Sequence, residues 1–303
     1  MMIRIMLFLA CLGFVLFGGV AYPQVNSSVE LKTGFCDNLN LRNDSNRESG
    51  RITEVYLTVE PSVLSNNLRY TFSWMQNPAL TILNTGYSLP EGKSIRNHTL
   101  TTKYKKSIPS LLSFEIKGQG EYNDADLNPL VYQKYSASGH IDSDLSHKSN
   151  AGAEIKYSRR FYNKTTPSRT DTQTTPSRTD TGRTASTNTS YVFPFNIIGY
   201  LEYQYTNNDS DNNYYTYRGY GPTGMITLPI TRDSDLRIIA SHETRNYKNN
   251  FTDRSLILSP SFINKRLNPV KIFMEYSYQR NSSNDGNRRF TQNKYYGGIN
   301  ISF

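Results

Sequence analysis

Apolar residues recur at every second position through much of this chain, in short segments separated by polar, Asn- and Ser-rich connections. A period of two places successive side chains on opposite faces and predicts β-strands. The end of the chain shows it most plainly. Over 270–279, Val270, Ile272, Met274, Tyr276 and Tyr278 share one parity, opposite Lys271, Glu275, Ser277 and Gln279, with Phe273 as the exception. Over 294–303, Tyr295, Gly297, Ile299, Ile301 and Phe303 lie opposite Lys294, Tyr296, Gly298, Asn300 and Ser302.

The same reading predicts strands at 51–59, 68–75, 80–87, 94–105, 110–122, 130–140, 151–161, 183–193, 197–205, 213–228, 235–245 and 255–262. With the final pair this makes about 14 strands, or 12 if 80–87 and 94–105 stand outside the sheet. Parity is lost between Gly219 and Gly224, which predicts a bulge there. Short turns alternate with longer polar connections, the asymmetry expected of the two ends of a membrane barrel.

Charge decides what kind of sheet this is. Glu115, Lys117, Glu121, Glu154, Lys156, Arg160, Glu202, Arg237, Glu243, Lys271 and Glu275 all fall on the polar parity of their strands. Charges in mid-strand are costly in a packed sandwich and costlier against lipid, so that face must be wet. The expected fold is therefore an all-β, antiparallel transmembrane β-barrel, with these eleven residues lining a pore. A secreted β-sandwich is the structural rival, favoured if the apolar parities are buried between two sheets.

A hydrophobic last strand on a soluble sheet would fray or aggregate. Here the terminal strand, with aromatic Tyr295 and Tyr296 and final Phe303, resembles the assembly signal of bacterial outer-membrane barrels. The pattern Tyr278, 280–284, Tyr296, Gly298 and Phe303 is similar to the C-terminal hairpin of a β-barrel porin group that includes exopolysaccharide-associated barrels. The resemblance implies an assembly signal of Tyr295, Ile299, Ile301 and Phe303 read by the barrel-assembly machinery. It also implies a link to polysaccharide export, in which inward tyrosines such as Tyr200 and Tyr296 would stack on sugar rings.

Residues 1–21 read as a signal peptide, with Arg4 as its positive region, an apolar core over 5–17 and Gly19-Val20-Ala21 as the cleavage site. Residues 22–50 carry no lasting periodicity and read as a flexible periplasmic extension, leaving 51–303 for the barrel. Inside it, Thr165–Thr172 returns as Thr174–Thr181, a tandem duplication without apolar residues. Such a repeat cannot build a solenoid layer, so 163–183 is expected to be an exposed extracellular loop.

Composition is consistent with this. The mean hydropathy of −0.61 suits a barrel, in which only alternate strand residues meet lipid, and no run of 18 apolar residues follows the signal. Tyrosine is abundant, at 23 residues, as interfacial girdles require. The net charge of +9 is scattered and forms no nucleic-acid motif, so it is better used towards lipopolysaccharide or in a pore. Cys36 alone remains once Cys11 leaves with the signal, which excludes a disulfide scaffold.

No catalytic, metal or cofactor motif is present: His98, His140, His147 and His242 lack ligand spacing, and there is no nucleotide loop. Ser241-His242 cannot form a lipid-facing dyad, because neighbours in a strand point to opposite faces. The expected function is non-enzymatic: an outer-membrane channel for small hydrophilic solutes, bound by lipid and lipopolysaccharide and not by nucleic acid. The alternative is a non-conducting surface barrel with a structural, adhesive or immune role through its loops. Deleting Phe303 is expected to abolish most surface assembly, read by protease accessibility on whole cells; normal exposure of the truncated chain would refute the assembly role.

Overall fold

The computed structural model describes residues 25–38, 49–63, 66–76, 94–108, 112–125, 132–162 and 177–303. Its strands are β1 (Val25–Cys36), β2 (Gly50–Val63), β3 (Asn66–Gln76), β4 (Ser94–Ile108), β5 (Leu112–Ala125), β6 (Tyr132–Ser146), β7 (Ser149–Tyr162), β8 (Arg178–Val192), β9 (Ile198–Ser210), β10 (Tyr217–Thr231), β11 (Ser234–Tyr247), β12 (Thr252–Leu267), β13 (Val270–Ser283) and β14 (Phe290–Ser302). Each pairs antiparallel with its neighbours in sequence. β1 also pairs with β14, from Ser28↔Ser302 to Cys36↔Lys294, and the sheet closes into a 14-stranded barrel.

The barrel is turned inside out relative to a soluble protein. Large apolar side chains such as Leu100, Ile116, Leu201 and Met274 stand exposed on the outer face, and Ile155 in the middle of β7 is 73% exposed. So wide an apolar belt is not tolerated in water and is what lipid requires. Among the described residues few apolar side chains are buried, Cys36, Ile52, Leu57, Ile95, Tyr247 and Phe290, and of these Cys36 and Ile52 cluster against Tyr296 inside the seam. Strand lengths run from 11 residues in β3 to 16 in β12. About 9–11 residues suffice to cross the hydrocarbon, so most strands continue past it.

The two ends differ. Tight connections join β6 to β7, β8 to β9, β10 to β11 and β12 to β13, and the chain terminus lies at this end, where Phe303 N–H donates to the Ser27 carbonyl at 2.8 Å. At the opposite end most connections are longer, including short 3-10 turns at Asn213–Tyr215 and Gly286–Arg288.

Several expectations need correction. Residues 22–50 are not simply an extension, because 25–36 is β1 and closes the barrel. Its outward residues Val29, Leu31 and Phe35 do alternate with Glu30, Lys32 and Cys36, but outward Thr33 and inward Gly34 interrupt the contrast. The strand expected at 80–87 lies outside the described residues, and β3 pairs directly with β4 through Gln76↔Ser94. The strand count thus agrees although its membership changes. The repeat-bearing loop ends before residue 183, since β8 starts at Arg178 within the second copy of the repeat; the signal peptide and 163–176 lie outside the described residues.

No bulge occurs at Gly219–Gly224. Tyr220↔Thr244 and Thr223↔Ser241 keep one register, and the irregularity of this hairpin falls at Pro229/Thr231 instead. Parity fades there because small residues replace apolar ones. Gly221 is one that the packing requires, since a Cβ would lie 1.8 Å from the His242 carbonyl oxygen on β11. The polar stretches 206–210 and 280–283 are strand rather than loop, forming wall beyond the apolar belt.

An arginine at the centre of the belt tests this arrangement. Ile155→Arg is expected to destabilise the barrel in lipid vesicles by about 2–4 kcal/mol, measured by reversible denaturant titration. An unchanged midpoint would mean that this face does not meet hydrocarbon.

Candidate functional site

Register assigns every strand residue to one of the two faces, and the interior face is polar. All eleven charged residues singled out in the sequence fall on it. On β5, Glu115, Lys117 and Glu121 stand opposite Lys105, Lys103 and Thr99 of β4. On β7, Glu154, Lys156 and Arg160 alternate with outward Ile155, Tyr157 and Arg159. Glu202 of β9, Arg237 and Glu243 of β11, and Lys271 and Glu275 of β13 continue the same wall. Tyr200 and Tyr296 also point inward, donating hydrogen bonds to Glu202 at 3.0 Å and to Glu54 at 3.1 Å.

The wall divides into committed and uncommitted charges. Glu115 pairs with Lys103 at 2.7 Å, Glu121 with Lys134 at 3.5 Å, and Glu275 with Lys32 at 3.9 Å, the last reaching from β13 to β1 past β14. Glu243 accepts two hydrogen bonds from Arg245 at 2.8 and 2.7 Å, a bidentate geometry. By contrast Lys117, Glu154, Lys156, Arg237 and Lys271 hold no ion pair or hydrogen bond among the described residues. Lys117 shows why: it directly faces Lys103, which is already drawn to Glu115.

Towards the long-loop end the interior becomes a collar of arginines stacked on aromatic rings. Arg160 lies 4.7 Å from the Tyr132 ring centre, and Arg178 lies 3.9 Å from Tyr162 and 3.6 Å from Tyr215. Arg245 lies 5.2 Å from Tyr217, whose ring is 5.3 Å from Tyr247. Arg288, from the β13–β14 connection, closes the series 4.1 Å from Tyr247 and 5.5 Å from Tyr214, while donating to Asp253 at 3.1 and 2.6 Å. All lie within the roughly 6 Å over which a cation is drawn to a ring face. The collar thus ties the β9–β10, β11–β12 and β13–β14 connections to the wall.

Below the collar, between β6 and β10, is a polar cavity of about 290 Å³. Lys134, Lys156, Arg160, Asp180, Glu154 and Glu202 supply its charges, and the hydroxyls and amides of β7–β9 fill in between.

Comparison with solved structures returns the same architecture. OmpT of Vibrio cholerae superposes with a TM-score of 0.55 at 10% identity, over 92% of this chain and 97% of its own. The outer membrane channel DcaP of Acinetobacter baumannii gives 0.55 at 10% identity over 95% and 99%. OccAB1 of the same organism gives 0.51 at 8% identity over 94% and 98%. The chain has the fold of bacterial outer-membrane channel barrels. No family model and no curated protein matches it.

On this outer-membrane-type barrel the terminal residues Tyr295, Ile299, Ile301 and Phe303 occupy the outward parity of β14. Ser241 faces inward and His242 outward, so they share no site. Sequence reasoning missed the charges of the first strand, Glu30 and Lys32, and with them Glu54, Lys134, Asp180 and Arg245. Period-two alternation with Val29, Leu31 and Phe35 would have found the first two; Glu54, Lys134 and Arg245 lie inside strands that the pattern already predicts, and Asp180 alone required a strand boundary drawn through polar sequence.

Arg288→Ala is expected to release the three connections it joins while leaving the barrel folded. Amide exchange at 212–216 and 248–251 should speed by at least about tenfold, the size set by losing a charged hydrogen bond and its ring contacts. Unchanged exchange would show that the collar does not hold these loops.

Proposed function

We propose that this chain is a passive outer-membrane channel for small hydrophilic solutes. The observation that carries the reading is the set of uncommitted interior charges, Lys117, Glu154, Lys156, Arg237 and Lys271. Left dry and unpaired, each would cost several kcal/mol, and together they would exceed the roughly 5–15 kcal/mol that holds a typical domain folded. Water in the lumen removes that cost. A barrel this wide has room for it, since about eight strands already suffice to enclose side chains or one small ligand.

Mixed charge on a wet wall favours polar and charged solutes over apolar ones. In this reading the long-loop end faces outward, towards lipopolysaccharide, and the assembly machinery reads the end of β14. A link to polysaccharide export rests on the resemblance of the final hairpin, supported by inward Tyr200 and Tyr296. The competing reading, a non-conducting surface scaffold, draws on the collar, whose paired arginines narrow the long-loop end.

Current through single barrels in a planar bilayer separates the two. The wild type is expected to conduct, and replacing Lys117, Lys156, Arg237 or Lys271 individually by Glu should shift the reversal potential towards cations. The expected change is about twofold in permeability ratio per site, as one charge acts over a screening length of roughly 8–10 Å. An insulating wild-type barrel would defeat the channel reading in favour of the scaffold.

A further inference from the structure

The cavity below the collar has an internal polarity that a general water path does not need. Two of its acids, Glu154 and Glu202, lie at one end along the barrel axis and its cations towards the other, where Asp180 stands beside Arg160. Glu154 of β7 and Glu202 of β9 flank β8 one row apart, near the tight-turn end of the cavity, through the pairings Glu154↔Ser186 and Asn188↔Glu202. Lys156 follows two residues nearer the long-loop end, roughly 7 Å along the strand, and Arg160 stands beyond it in line with Asp180.

At the upper end Arg160 stacks on the Tyr132 ring and donates to the Tyr162 hydroxyl at 3.0 Å. Lys134 is paired with Glu121 at 3.5 Å, and Asp180 lies 3.2 Å from the Arg178 guanidinium. What remains is an ammonium with no partner, Lys156, above a carboxylate with no partner, Glu154, among the described residues, and Glu202 held only by the Tyr200 hydroxyl. Gly182 keeps the cavity open just beyond Lys156 on the long-loop side, level with Ser158, since a Cβ there would meet the Ser158 hydroxyl at 2.8 Å. At about 290 Å³ the cavity sits at the small end of ligand pockets, which run from roughly 300 to 1,000 Å³.

We infer that this cavity is a subsite for a small zwitterion, a solute carrying one carboxylate and one ammonium on neighbouring carbons, such as a free α-amino acid. The solute's carboxylate lies towards Lys156 and its ammonium towards Glu154 and Glu202. Each of its charges then meets a group that has no ion pair among the described residues, Lys156 at one end and Glu154 with Glu202 at the other, and a solute with one charge leaves one end of the cavity unanswered. This subsite deepens the channel reading and rests on it, but binding is measured separately from current.

The test is ligand-observed saturation-transfer NMR on the full chain in detergent micelles, with L-alanine, propionate and ethylamine as probes. L-alanine is expected to show transfer, with the two single-charge probes at least about tenfold weaker, as expected for losing a charge-assisted hydrogen bond. Lys156→Gln and Glu202→Gln should each weaken L-alanine by a similar factor. Gly182→Val, which removes space and no charge, should weaken it too; heat-modifiable gel migration confirms that each variant is folded. Propionate binding as well as L-alanine would overturn the proposal in favour of a plain anion site. Absence of transfer from all three would overturn it even if the barrel conducts, whereas L-alanine binding to a barrel that carries no current would defeat the channel reading and leave the subsite standing.

Discussion

Hydrocarbon offers no hydrogen bonds, so every backbone N–H and C=O that crosses it must be satisfied within the sheet. An open edge is therefore excluded, and the rest of this structure depends on the ladder between β1 and β14. That seam joins the two ends of the described chain. It is sealed at the tight-turn end by reciprocal backbone bonds between Ser27 and Phe303, and on the interior by Lys32, which reaches both Glu30 and Glu275. The same closure that removes the edge creates an enclosed wall, and what lines that wall is then free to be polar.

The interior charges follow from that freedom. On the outer face an unpaired lysine would be expelled, and in a packed core it would need a partner, yet here Lys117 and Lys156 stand without one while Lys103 and Lys134 are neutralised by glutamates. Pairing stiffens the wall; leaving some groups unpaired gives it a field. The arginine-aromatic collar sits where loops meet wall, combining rigid ring stacking with charge pairs that include the buried Arg288–Asp253 contact. In the channel reading, structure and permeation use the same residue types in two different states of commitment.

Much of this was legible because alternation in a barrel is a local signal. Which face each of the eleven candidate residues occupies could be read from their immediate neighbours, since Ile155 beside Lys156, or Met274 beside Glu275, fixes both sides at once. The signal fails where the outer face leaves the lipid. Thr179 and Thr181 point outward beside Arg178 and Asp180, so the start of β8 reads as more low-complexity loop. β1 failed for a related reason, with Thr33 and Gly34 diluting a short pattern at its middle. Glu154, Lys156, Arg160 and Glu202 were legible singly, but their assembly into a cavity and collar was not, because groups such as Tyr215, Arg178 and Tyr162 meet only through the register of strands and the fold of a connection.

The central claim is that one parity of each strand is wet and the other meets lipid. Cysteine scanning along 153–158 of β7, in a Cys36→Ser background and in lipid vesicles, tests it with a membrane-impermeant thiol reagent. Labelling is expected at Glu154, Lys156 and Ser158 and not at Ala153, Ile155 and Tyr157. Labelling that is uniform along the strand, or confined to the odd-numbered positions, would contradict the account.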